Sequence, residues 1–288
     1  AGSATTGVAL NLTGVSGQNA AIDVNNAGSG NTQVTATGAV SSSLGQGAKI
    51  VAGTSTTGTT LTFGAVTGHS DGIYASHLGS GVLSVTAGGS VLGSTGYGVM
   101  AQNTSLGSDV TVNSTNVQGD LDGIQITNNG TGNTYTKSTG TVMGGSGYTG
   151  ISTHSGANTG TTTVIANNVY GSHGINSRHY GSGDLSITTS GTVSGSNGSG
   201  ITSFNAGDAA NIVTSTGTVN GSQYGINAVN DSHASGTDLK IYSNNVSGGS
   251  GGILATNYGS GQTVVTSTGT VQDTGASAQN GITVLSDT

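Results

Sequence analysis

The sequence predicts an all-β fold, a parallel β-helix of about 11 coils, each of about 26 residues and three short strands. Three periodic signals carry that prediction. A Val after a small-residue turn, mostly followed by Gly, recurs at Val15, Val40, Val66, Val91, Val117, Val142, Val169, Val193, Val219, Val246 and Val271, in steps of 24 to 27 residues. A second anchor, mostly Gly then Ile, follows each of these at Ile22, Ile50, Ile73, Val99, Ile124, Ile151, Ile175, Ile201, Ile226, Ile253 and Ile282. A third segment alternates apolar and polar residues, most clearly at Leu83-Ser84-Val85, Val110-Thr111-Val112, Leu185-Ser186-Ile187 and Leu239-Lys240-Ile241.

Each element follows from these signals. The apolar segments run three to five residues, too short for helices, and their period of two is that of a strand. Gly, Ser and Asn between them supply the turns. Weaker copies of the alternating strand lie around Val34, Tyr135, Val164, Val213 and Val265. Coils stacked at about 4.8 Å would make a rod of about 50 Å, its thin core formed by the Ile and Val columns. The pattern runs unbroken from about residue 7 to 285, so residues 1–288 read as a single domain.

Composition agrees and excludes other classes. The chain has 288 residues, 55 of them Gly, with no Pro, Cys or Trp. A disulfide scaffold and a thiolate metal site are impossible, and collagen would need abundant Pro. Only four residues are cationic and the net charge is −7, which argues against a nucleic acid partner. No apolar run is long enough to span a bilayer as a helix.

The position four after the Ile anchor reads Asn26, Thr54, His77, Asn103, Asn128, Ser155, His179, Asn205, Asn230 and Asn257. Stacked Asn side chains can hydrogen-bond from coil to coil, so Asn26, Asn103, Asn128, Asn205, Asn230 and Asn257 are read as a structural ladder.

No catalytic constellation stands out, and the expectation is a non-enzyme. Asp120 and Asp122 form one close carboxylate pair, but they flank the turn Gly119–Gly123 and read as solvated turn residues. The histidines His69, His77, His154, His173, His179 and His233 show no metal-ligand spacing, so neither a metal nor another cofactor is expected. Thr-x-Thr pairs at Thr35/Thr37, Thr214/Thr216 and Thr266/Thr268 are interrupted in other coils and make a poor ice template. The most suggestive surface is the outward side of the Ile-anchored strands. There Tyr74, His77, His154, Arg178, His179, Tyr180, Phe204 and Tyr258 gather aromatic rings near the chain's only Arg, the residue types enriched where proteins bind partners. Exposed solitary apolar residues are also ordinary on any surface, which is the competing explanation.

The pattern Gly-Ile-x-Ala-x-Asn, Gly-Ser-Gly, Asp-Leu-x-Ile, Thr-Gly-Thr-Val, clearest in 174–193, 225–246 and 252–271, resembles passenger domains of bacterial autotransporters. The resemblance covers nearly the whole chain. It implies a right-handed β-helix exported through the periplasm and outer membrane to the bacterial surface or beyond. It also implies a role as adhesin, protease or soluble effector, with a host-cell surface protein or glycan as partner. One branch with similar Thr-Gly-Thr-Val coils includes angiogenic passengers that stimulate endothelial growth-factor receptors. The protease signature Gly-Asp-Ser-Gly is missing. Two readings stand beside the host-binding one: a polysaccharide- or peptide-active enzyme, and a fibre module that self-associates through its ends or faces. Because Ile282–Thr288 follows an anchor with no capping element, the chain also reads as excised from a longer protein that continues into a C-terminal β-barrel.

Overall fold

In a computed structural model, which describes residues 7–232, 237–276 and 280–286, the chain is a parallel β-solenoid. One sheet has 11 strands, those that carry the Ile anchors, and the other has 20, formed by the remaining two strands of each coil. The 11 strands mark successive passes of the chain, hence about ten full turns. Every pairing is parallel, and the register stacks like on like, as in Val99↔Ile124, Ile124↔Ile151 and Ile151↔Ile175. In two coils the alternating strand runs on into the Val strand as one element, Thr134–Met143 and Thr162–Gly171.

The core is the set of inward columns. Ile73, Ile124, Ile151, Ile175, Ile201, Ile226 and Ile253 are fully buried, as are Val66, Val142, Val193 and Val219 opposite them. Around Tyr135 the alternating strand turns Thr134 and Thr136 inward, so this coil has a partly polar core.

The Gly before the anchor has a steric cause. A Cβ built on Gly123 would lie 2.6 Å from Val142 Cγ1 of the next coil, and one on Gly72 would lie 2.5 Å from Val91 Cγ1. The same clash recurs at Gly98, Gly150, Gly174, Gly200, Gly225 and Gly252. Each Val therefore seats itself in the space left by a missing side chain in the preceding coil. We expect Gly123→Ala to cost about 1–3 kcal/mol, the usual range for overpacking a filled core. A thermal or denaturant melt checks it, and an unchanged midpoint would show that the stack yields at that point.

This Gly column corrects the second coil. Gly47 precedes Ala48, and Ala48 pairs with both Ile22 and Ile73. Ala48, not Ile50, therefore holds the anchor position, and Ile50 faces the core two residues on, beside Ala75. Ala52 then occupies the column in which the sequence placed Thr54.

Candidate functional site

In an Ile-anchored strand the anchor and the residues two and four beyond it face inward, and those one and three beyond face outward. The burial of Ile175–His179 alternates in this way. That parity divides the candidate residues. His77 and His179, four beyond their anchors, are fully buried and do not belong to an outer face. They sit in the Asn column instead: His77 pairs with Ala52 and Asn103, and His179 with Ser155 and Asn205.

That column works mainly within each coil. Asn128 Oδ1 accepts the Gly130 N–H at 2.9 Å, while its Nδ2 donates to the carbonyls of Gly132 and Asn133. Asn26, Asn205 and Asn257 repeat this double bond across their own turns, which is an Asx-turn geometry. Asn103 donates to Ser108 O and accepts the Asn129 N–H of the following coil. The ladder expected from the sequence is thus a column of turn clamps. Its side-chain rung runs from Asn230 Nδ2 to Asn257 Oδ1, 3.2 Å.

His179 substitutes for such a clamp. Its Nδ1 lies 2.8 Å from Thr162 Oγ1, and its Nε2 lies 2.8 Å from Gly183 O. Thr162 continues to Ser155 Oγ, and Ser155 Oγ to Thr134 Oγ1, 2.7 Å each, forming a buried polar chain across coils. His77 Nδ1 lies 2.9 Å from Thr59 Oγ1. Burial lowers the pKa of both rings; the backbone at Gly183 and Gly181 and the charge of Asp184 oppose it at His179, and the backbone at Ser80 opposes it at His77.

The other candidates lie outside, and four of them converge. His154, Arg178, Phe204 and Val229 are paired in register on successive coils. Tyr180, just past its strand, leans between them. Its ring centroid is 5.3 Å from that of His154 and 5.8 Å from that of Phe204, with tilts of 50° and 52°. Such separations and tilts suit favourable ring contacts. Arg178, Tyr180, Phe204 and Val229 line a shallow pocket of about 270 Å³, completed by Thr202 and Asn227. Arg178 is exposed and makes no hydrogen bond or ion pair among the described residues. Burial, and then the neighbouring Arg178 charge, holds the His154 pKa below the ordinary imidazole value.

Tyr74 and Tyr258 stand apart from this group, on coils four and three away from that of Arg178 along the sheet. Tyr74 accepts a hydrogen bond at its hydroxyl from Gln102 Nε2 at 3.2 Å, and Tyr258 is 48% exposed. Thr202 and Asn227 do not stand out in the sequence, because small polar residues recur in every coil; their signal is position, one beyond the anchors Ile201 and Ile226. A second surface was missed as well. Leu92 and Gln118, with exposed Met143, line a groove of about 400 Å³ on the Val strands, and Tyr170 pairs beside Met143. It carries no charged residue.

Five of the carboxylates serve the fold by capping the next coil. Asp122 is buried and its Oδ1 accepts the Thr149 N–H at 2.8 Å, whereas Asp120 is exposed. The solvated-turn reading therefore holds for Asp120 and fails for Asp122, whose pKa burial raises against the lowering effect of that N–H. Asp71, Asp109, Asp184 and Asp238 likewise cap a backbone N–H of the next coil. Among the described residues no group of three or more His, Cys, Asp or Glu is placed to hold a metal ion. His233 lies outside the described residues.

Fold and site together define a repeat β-solenoid with one compact aromatic and cationic patch on the outer side of its 11-stranded sheet. Set against family models, curated proteins and solved structures, the chain matches none of them.

Proposed function

We propose that this protein is a non-enzymatic binding module, an exported autotransporter-type passenger that attaches to a host-cell surface molecule through the patch around Arg178. The observation that carries this reading is the convergence of His154, Tyr180 and Phe204 in ring contact beside an unpaired guanidinium. Rings held in place by the stack lose little entropy on binding, and aromatic and Arg side chains dominate contact energies. The solenoid supplies a stiff platform, because parallel neighbours fix each outward side chain from both sides. The use of Asp71, Asp109, Asp122, Asp184 and Asp238 as backbone caps supports binding over hydrolysis.

Labelled protein added to cultured endothelial and epithelial cells tests the reading. We expect Phe204→Ala and Arg178→Ala each to weaken cell binding by about tenfold or more, the loss associated with a central contact residue. Met143→Ser, on the other face, should leave binding unchanged. Binding that survives both patch substitutions, or falls only with Met143→Ser, would place the contact elsewhere; unaltered protein that binds neither cell type would reject the reading.

A further inference from the structure

We infer that the Arg178 pocket takes a carboxylate-bearing sugar residue of a glycan, an inference that rests on the binding role proposed above. Three features specify that chemistry. The first is charge: Arg178 is the only Arg of the chain and is unpaired among the described residues, and its planar fork matches a carboxylate with two parallel hydrogen bonds. The second is shape: the tilted Tyr180 and Phe204 rings border a shallow pocket of about 270 Å³, room for a ring-sized unit whose apolar C–H face can lie on an aromatic face. The third is the neighbouring column. Ser152, Asn176, Thr202 and Asn227 pair in register on successive coils, half-buried, uncharged and rich in donors and acceptors. Asn176 Oδ1 and Asn227 Oδ1 make no hydrogen bond within the chain, which leaves each amide free to turn toward a sugar hydroxyl.

An acidic peptide would satisfy the charge, but its backbone groups recur about every 3.3 Å in an extended chain, out of step with a row of amide and hydroxyl groups about 4.8 Å apart. A polyhydroxylated chain lying along the rod axis would meet one such group about every 4.8 Å. A strongly anionic polymer read by charge alone fits poorly, since the protein carries a net charge of −7.

A single Arg makes the test direct, because its Nε–Hε group gives one resonance in the ¹⁵N-labelled full chain. The probes are the methyl glycosides of sialic acid and of glucuronic acid, with methyl glucoside and sodium acetate as controls. We expect the Arg178 resonance to move with at least one acidic glycoside, at about tenfold lower concentration than with either control. Response to only one acidic sugar identifies which kind of residue the pocket takes. Phe204→Ala should weaken the response with the circular dichroism spectrum unchanged. Arg178→Lys, followed by saturation transfer to the sugar, should weaken binding although the charge is kept. No movement with either acidic sugar, or equal movement with methyl glucoside or acetate, overturns the inference. If cell binding still depends on Arg178 and Phe204 in that case, the face is right and its partner is a protein.

Discussion

Ile151→Ala should destabilise the solenoid by about 2–5 kcal/mol and open it locally rather than everywhere. Ile151 is fully buried near the middle of the stack, paired with Ile124 on one side and Ile175 on the other. Removing three carbons leaves a void that the coil cannot close, because its backbone is bonded to both neighbours. In a one-dimensional stack each coil depends on the coils beside it, so protection should fall first in Ile124–Asn128, Ile151–Ser155 and Ile175–His179. Hydrogen exchange resolved along the chain reads this directly. Ile151→Leu, which keeps the volume, should cost less than about 1.5 kcal/mol. A uniform loss of protection from end to end would mean that the stack unfolds as one unit.

The second large effect is acid lability set by His77 and His179. Both have pKa values lowered from 6.5 chiefly by burial, so the folded chain holds them neutral while the unfolded chain protonates them. Above pH 6.5 both states are neutral and the full stability is present. As pH falls below that value the unfolded state takes up more protons, and stability drops until the lower folded-state pKa is reached. Each ring contributes at most about 1.4 kcal/mol per pH unit inside that window. Melting temperatures should therefore fall between neutral pH and mild acid. The double variant His77→Asn, His179→Asn should flatten the slope, since Asn holds the same column position at Asn128 and Asn205. An equal slope in the double variant would assign the acid sensitivity to other groups with lowered pKa values, His154 among them, since Asp122, whose pKa is raised, acts in the opposite sense.

The two histidines also show what the sequence could and could not reveal. Strand order, coil length and the inward Ile and Val columns were readable because a period of two inside a period of about 26 leaves little freedom. The same rule of parity, applied strictly, would have turned His77 and His179 inward. Placing them on the outer face takes positions three, four and five after the anchor together, although adjacent residues in a strand point to opposite sides. Ile50 misled for a different reason: its size outweighed Gly47, whereas the gap above Gly is what fixes the register. The Asn column was visible, but its bonding was not, because an Asn side chain reaches its own N–H two residues on more easily than the next coil. Arg178, Tyr180 and Phe204 were legible as a group from their positions on consecutive coils. The pocket between them was not, since Thr202 and Asn227 enter it only through coil-to-coil register.

The seating of each Val above a Gly has a consequence for how the molecule measures distance. The interlock repeats with the same partners from Gly47 against Val66 to Gly252 against Val271, so every coil steps forward by one fixed interval. The solenoid is therefore a graduated ruler with marks about 4.8 Å apart. Any group borne on an outward column, the Arg178 patch included, can stand only at a whole number of marks from any other. Adding or losing a coil would slide two such groups apart or together by one mark, while leaving the chemistry of each unchanged.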